Sequence, residues 1–175
     1  LHLYTRAAQV SGTILGGSVT QIPDSGPVKL ASPTPGAISV AGELDEWSFF
    51  ARAGQSIKVV VDTGSSAVLS PVLSWADVEL IDSTDTRLAG GVSSNAGEMV
   101  ILDDVSIAAD GNYRVRIKAP ASQISASGNY VVSVWDVTAD VSSLLLNKQV
   151  TGQIENPYSI DKWQFAATAG TQVRF

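Results

Sequence analysis

Six short runs along this chain alternate apolar and polar residues, and turn-forming residues separate one run from the next. The clearest are Ile57–Val61, Asp77–Asp82, Tyr113–Ile117 and Tyr130–Trp135. Val, Ile, Tyr and Trp at a period of two predict strands that turn one face to a core and the other to water. We therefore predict an all-β protein: an antiparallel β-sandwich, jelly-roll-like, of about eight strands.

The inward positions of these strands define a predicted core. It comprises Trp47, Phe49, Ile57, Val59, Val61, Val78, Leu80, Val100, Leu102, Val115, Ile117, Val132 and Val134.

Part of the sequence occurs twice. Residues 45–54 have a counterpart 116 residues later, in which the same Asp, Trp, Phe, Ala and Gly stand in register from Asp161 to Gly170. A weaker match pairs residues 8–11 with residues 139–142 at a spacing of 131, so the first unit would hold 15 extra residues. The proline-rich stretch 22–36 lies in that interval, and we interpret it as the insertion. The chain is predicted to contain a repeated unit.

The repeat divides the chain into three parts. Residues 1–7 are interpreted as the end of a preceding unit or a linker, 8–138 as one whole sandwich, and 139–175 as a linker with the truncated start of a second similar unit. Both ends fall in alternating runs, so we expect a piece of a longer polypeptide. The last 29 residues, 147–175, are too few to bury an apolar face. They should pack on the sandwich, pair with a neighbouring molecule or complete a sheet.

Composition excludes several functions. The chain of 175 residues carries a net charge of −6, whereas nucleic acid and anionic membrane surfaces attract cationic proteins. Without cysteine there is no disulfide, thiolate zinc site or cysteine nucleophile, and His2 is the single histidine. No apolar run approaches the length of a membrane span. We predict neither nucleic-acid binding nor membrane insertion.

Four motifs in sequence carry a resemblance to a known family. They are Gly42–Phe49 with Ala53–Gln55 after it, then Asp77–Asp82, Ala109–Arg116 and Ser127–Val134. Together they resemble bacterial prepeptidase C-terminal (PPC-type) domains, over residues 38–137 and again from 150. The chain departs from that pattern in its proline-rich stretch and at Trp75.

The resemblance implies a β-sandwich appended to secreted bacterial enzymes and without catalysis of its own. Relatives in clostridial collagenases bind collagen and hold calcium, and others lie beside glycoside hydrolases. We therefore expect a non-catalytic module at an extracellular or cell-surface location. Its partners would be neighbouring modules of the same chain and a polysaccharide or matrix polymer.

Adjacent carboxylates are the candidate metal ligands. Asp45 with Glu46, and Asp103 with Asp104, each pair two carboxylates beside predicted turns, and calcium prefers such oxygen ligands from loops. A structural calcium ion that links the two loops is one interpretation; plain solvated acidic loops are the other. No histidine or oxyanion-type motif accompanies these carboxylates, and we predict no enzyme.

Two tryptophans are candidates for ligand binding. Trp75 follows a loop-like stretch, and Trp135 lies on the outward side of its strand; either ring could stack on a sugar. Glu79 and Asn95 are polar neighbours that would supply hydrogen bonds. Two functions compete: a polysaccharide-binding module, or a spacer repeat whose tryptophans serve the core and the module junctions. A row of aromatic residues on one open face would favour the first.

Overall fold

The computed structural model describes residues 23–64 and 70–174. Eleven strands follow one another in these residues, with a single 3₁₀ turn at Ala121–Gln123. The strands are β1 (Ser25–Pro27), β2 (Thr34–Ile38), β3 (Leu44–Ala51), β4 (Ser56–Asp62), β5 (Asp77–Ile81), β6 (Arg87–Val92), β7 (Val100–Ser106), β8 (Gly111–Lys118), β9 (Gly128–Asp136), β10 (Asp140–Ser143) and β11 (Asp161–Gln164).

Nine of these strands form two sheets. The first has the order β1-β3-β8-β5-β6, and the second has the order β2-β9-β4-β7. Every pairing is antiparallel except that of β1 with β3, which is parallel. The two sheets bury a common core between them, so the predicted β-sandwich is confirmed.

The predicted core is also confirmed. All thirteen residues assigned to it from the alternation are buried, and Trp47, at 8%, is the most exposed of them. Tyr113 and Tyr130, the third residues of β8 and β9, are buried with them. The alternation succeeds because β-branched and aromatic residues at every second position fit the inner face of a half-buried sheet.

The proline-rich stretch is not an insertion, contrary to the sequence analysis. Its described part supplies β1 and β2, which are edge strands of the two sheets. Pro27 and Pro35 are tolerated there because an edge strand has backbone positions that need no N–H donor. With these two strands the sandwich has nine, against the expected number of about eight. Residues 1–22, including the expected preceding unit 1–7, lie outside the described residues.

Beyond the sandwich, β10 and β11 form a separate two-stranded parallel sheet. Residues 161–164 thus pair with residues 140–143 of the same chain, whereas packing on the sandwich, pairing with a neighbouring molecule or completion of a sheet was expected. Trp163 remains 37% exposed on this small sheet. No helix in the described ranges is long and apolar enough to cross a membrane.

Candidate functional site

Asp45 lies inside the sandwich, where it joins the two sheets. Its carboxylate accepts a hydrogen bond of 2.6 Å from the Tyr130 hydroxyl and one of 2.9 Å from the backbone N–H of Asp24. The Tyr130 hydroxyl in turn accepts a bond of 2.8 Å from the indole N–H of Trp47. Asp45 and Trp47 belong to β3 in the first sheet, and Tyr130 belongs to β9 in the second. The network therefore fixes how the sheets face each other.

Burial dominates the titration of this network. Asp45 has no exposed surface, and this desolvation raises its pKa to about 6, although the bonds from Tyr130 and Asp24 act in the opposite direction. Burial, followed by the bond to Asp45, also raises the pKa of Tyr130 above the ordinary tyrosine value. Because both of its oxygens accept hydrogen bonds from protein donors, Asp45 has a structural role in the sandwich.

Glu46 points to the opposite face of β3, because successive strand residues alternate. Its carboxylate lies 3.0 Å from Arg114 Nη1 and 2.8 Å from Arg116 Nε, and both arginines also contact Asp85 at 2.7 Å. Partial burial alone would raise the pKa of Glu46, but the two guanidinium groups outweigh it and hold the pKa below its ordinary value. The structure thus separates Asp45 from Glu46.

Asp103 and Asp104 lie within β7, at the edge of the second sheet. Asp103 pairs with Lys58 Nζ at 3.1 Å, and Asp104 accepts a bond of 3.1 Å from the Ser56 hydroxyl. The first predicted pair, Asp45 with Glu46, therefore lies on a strand of the first sheet, and the second pair lies on a strand of the second sheet. Both pairs were predicted in loops that one cation could link. The alternation of β7, with Leu102 inward, sends Asp103 outward.

A third group of carboxylates was missed by the sequence analysis. One oxygen each from Asp140, Glu155 and Asp161 lies within 4.8 Å of the others, beside the small two-stranded sheet. Three carboxylates are the type of ligand that calcium prefers, although calcium takes six to eight oxygens. The repeat was the available signal, since Asp161 stands 116 residues after Asp45.

The loop that holds Trp75 lies beside the loop that holds Asn95. The Ser74 carbonyl accepts a bond of 2.8 Å from Gly97 N, and the Ala76 carbonyl accepts one of 2.9 Å from Ser93 N. Trp75 is partly exposed and Asn95 is exposed. The structure therefore brings these two candidates to one end of the first sheet.

Glu79 also belongs to the first sheet, in β5, and lies 3.7 Å from Arg87. Trp135 does not join this group, because it is on β9 in the second sheet. Its indole N–H donates to the Ser133 hydroxyl at 3.0 Å, and its ring meets that of Tyr158 edge-on, with 5.3 Å between the ring centroids. Lys58 Nζ lies 4.3 Å from the Tyr158 centroid on the same surface.

Comparisons with known proteins are limited to structural likeness. No protein-family model matches the sequence, and neither does any curated protein. The pre-peptidase C-terminal domain of collagenase from Bacillus anthracis is 15% identical, with a TM-score of 0.44, over 65% of this chain and 97% of that domain.

Two further structures have other roles. The Salmonella Typhimurium PliG, a periplasmic inhibitor of g-type lysozyme, is 20% identical, with a TM-score of 0.43, over 63% of this chain and 96% of that protein. The carbohydrate-binding module CBM36, solved with calcium and xylotriose, is 17% identical, with a TM-score of 0.33, over 61% of this chain and 92% of that module. A pre-peptidase C-terminal domain is thus among the solved structures that this chain resembles, as the sequence motifs predicted.

Proposed function

We propose that this chain is a non-catalytic structural module of a repetitive extracellular protein, whose sandwich holds the following segment in place and has no ligand of its own. The contact between Trp135 and Tyr158 carries this proposal. Tyr158, which belongs to the segment after the sandwich, packs against the outward ring of Trp135 on the second sheet. Asn156 adds a bond of 3.3 Å from its side-chain amide to the Asp136 carbonyl. Such contacts are typical of a junction between modules.

The perturbed carboxylates support a structural role. Asp45 is fully buried, with protein donors on both oxygens, and Glu46 and Asp85 are each held by the same two arginines. Groups used in this way stabilise pairings between strands and sheets rather than present a reactive atom to a substrate.

A polysaccharide-binding role at Trp75 is the second candidate. The hydrogen bonds that bring the Trp75 loop against the Asn95 loop favour it, because a partly exposed indole ring beside an exposed amide suits stacking and hydrogen bonding to a sugar. Trp75 and Trp135 belong to different sheets, so these two rings do not form one row. This separation favours the structural module.

Retention on insoluble matrices distinguishes the two candidates. We expect no retention of this chain on a panel of insoluble polysaccharides and collagen, measured by pull-down with bound and unbound fractions quantified. Trp75→Ala and Trp135→Ala should behave as the unmodified chain does. Retention on one matrix that Trp75→Ala abolishes and Trp135→Ala preserves would overturn the structural proposal in favour of the sugar site.

Calcium should leave the thermal unfolding of the sandwich unchanged. Among the predicted ligands, Asp45 has no access to solvent and Glu46 is paired with two arginines. The group around Asp161 lies outside the sandwich, so an ion there would add nothing to the cooperative unfolding of the two large sheets. Circular dichroism melts in millimolar calcium and in chelator should superimpose.

A higher midpoint in calcium would contradict this expectation. A hundredfold excess of calcium over its dissociation constant stabilises a folded protein by about 2.7 kcal/mol, a shift of several degrees for a domain of this size. Loss of the shift in Asp161→Asn would locate the ion beside the small sheet, and loss in Glu46→Gln would locate it on the sandwich.

A further inference from the structure

The sandwich holds Tyr130 in a seat made by three residues of the first unit. Tyr130 on β9 pairs with Gly36 on β2, and a Cβ atom added to Gly36 would lie 2.5 Å from the tyrosine ring and hydroxyl. The ring therefore needs a glycine beneath it. Asp45 and Trp47 complete the seat with the two hydrogen bonds to the hydroxyl. The seat thus combines a missing side chain, a carboxylate acceptor and an indole donor.

All three residues of this seat recur 116 residues later, as Gly152, Asp161 and Trp163. They line one cleft with Asp140 and Glu155. A Cβ atom on Gly152 would lie 2.6 Å from the Asp161 carboxylate and 3.1 Å from the Trp163 ring, so these two side chains lie over Gly152. The three residues are therefore together again, but Asp161 and Trp163 occupy the space that the Tyr130 ring fills over Gly36 and must move aside to admit a tyrosine ring.

The backbone recurs with the same spacing. In the first unit Gly26 pairs in parallel with Trp47, and in the second segment Ser142 pairs in parallel with Trp163. Left-handed backbone also appears at matched positions: Ala31 has φ of 59° and Asn147 has φ of 61°, and Gly54 and Gly170 both have φ of 87°. A non-glycine residue at positive φ is uncommon, which makes the match at Ala31 and Asn147 informative.

The two copies differ in how far their residues are buried. Trp47 is 8% exposed and its counterpart Trp163 is 37% exposed; Ile38 is 1% exposed and its counterpart Ile154 is 60% exposed. Within the described residues, neither the Asp161 carboxylate nor the Trp163 indole N–H has a hydrogen-bond partner. The second seat thus has the groups that hold a tyrosine, and no strand of the described residues carries a tyrosine to it.

We propose that residues 140–165 form a binding site for one extended strand of the β9 type, with the sequence Gly-Asn-Tyr-Val-Val, supplied by a further repeat of this unit. The strand pairs antiparallel with residues 150–154, the counterpart of β2, and its tyrosine ring lies over Gly152. The tyrosine hydroxyl donates to Asp161 and accepts from Trp163. Its valines cover apolar side chains that are exposed in this segment, such as Ile154.

The expected binding energy comes from two sources. Adding a strand to an open sheet edge supplies main-chain hydrogen bonds, and pockets for alternate side chains supply specificity. A hydrogen bond to a charged acceptor in a site from which water is excluded is worth more than a neutral one. The tyrosine hydroxyl should therefore distinguish this strand from one that carries phenylalanine.

Fluorescence anisotropy of a labelled peptide tests the proposal. The peptide has the sequence of residues 126–137 and carries a fluorophore at its N-terminus; it is titrated with the whole chain. We expect a saturable rise in anisotropy and about tenfold weaker binding when phenylalanine replaces the tyrosine of the peptide. Absence of saturable binding, or equal binding of both peptides, would overturn the proposal.

Two chain variants locate the peptide. Gly152→Val adds a side chain against Asp161 and Trp163, in the space that these two residues must leave for the tyrosine ring, and we expect it to weaken binding at least about tenfold. Gln153→Val adds the same side chain one position along; Gln153 also lines the cleft, but strand alternation turns its side chain away from the tyrosine ring, so this change should weaken binding much less than Gly152→Val does. Both changes lie outside the sandwich, so its folding, followed by circular dichroism, provides the check on structure. Equal binding by Gly152→Val would overturn the proposed site.

This inference rests on the proposed repetitive architecture and names the partner of its exposed segment. The peptide titration and the matrix pull-down fail independently. Retention on a polysaccharide through Trp75 would refute the structural proposal without affecting the tyrosine seat, and failure of the peptide to bind would leave the pull-down result unchanged.

Discussion

Tyr130→Phe should destabilise the sandwich by about 3 kcal/mol, because it removes one hydroxyl and leaves two buried groups without their partner. The Asp45 carboxylate loses a donor, and the Trp47 indole N–H loses its acceptor. The aromatic ring remains, so the change creates almost no cavity. Urea unfolding should report the loss in free energy, and the melting midpoint should fall by roughly 10 °C.

Tyr113→Phe is the matched control. Tyr113 is also buried in the core, but its hydroxyl donates at 2.7 Å to the Ala109 carbonyl at the margin of the sandwich, where water can replace the lost partner. We expect a loss of about 1 kcal/mol or less. Equal losses in the two variants would show that the network around Asp45 contributes no more than an ordinary hydrogen bond.

Sequence alternation was sufficient to predict the sandwich and its core. The same alternation also indicated that Asp45 faces inward. Trp47 and Phe49 were placed in the core, and Asp45 stands at the same parity on the same strand. The two adjacent carboxylates were nevertheless interpreted as a pair, because charged residues are seldom fully buried. Tyr130, the partner that makes this burial tolerable, is 85 residues away. No local pattern reveals such a contact.

The proline-rich stretch was misjudged for a different reason. Residues 22–36 were interpreted as an insertion because they lie in the interval where the two repeat spacings differ by 15 residues, and their prolines gave no sign of a strand, since proline is depleted in strands. Edge strands relax that rule, and whether a strand lies at an edge is decided by the order of strands in the sheet, which the sequence does not contain. Trp135 is similar: its parity predicted an outward ring, whereas its partner Tyr158 depends on how the following segment folds back.

The stability of this chain should fall as pH rises through the range in which Asp45 ionises. Its pKa is about 6 in the folded protein against an ordinary value of 3.8, so the folded state binds more protons between these values. Stability from this group is therefore complete below 3.8 and is lost as pH rises through about 6. The full difference corresponds to about 3 kcal/mol. Urea unfolding at about pH 4 and about pH 7.5 measures it.

Asp45→Asn isolates this effect from the other carboxylates. Asp45 accepts from the Asp24 N–H and the Tyr130 hydroxyl with separate oxygens, whereas Asn keeps one oxygen and so loses one of these bonds, at a cost that does not vary with pH, and carries no charge to desolvate. Glu46 and Asp85, whose pKa values are lowered, act in the opposite direction, since their stabilisation is lost as pH falls through the acid range. That contribution is common to both proteins and cancels in the comparison. The unmodified chain should therefore lose stability relative to Asp45→Asn as pH rises, and parallel pH profiles would contradict the burial of an ionisable Asp45.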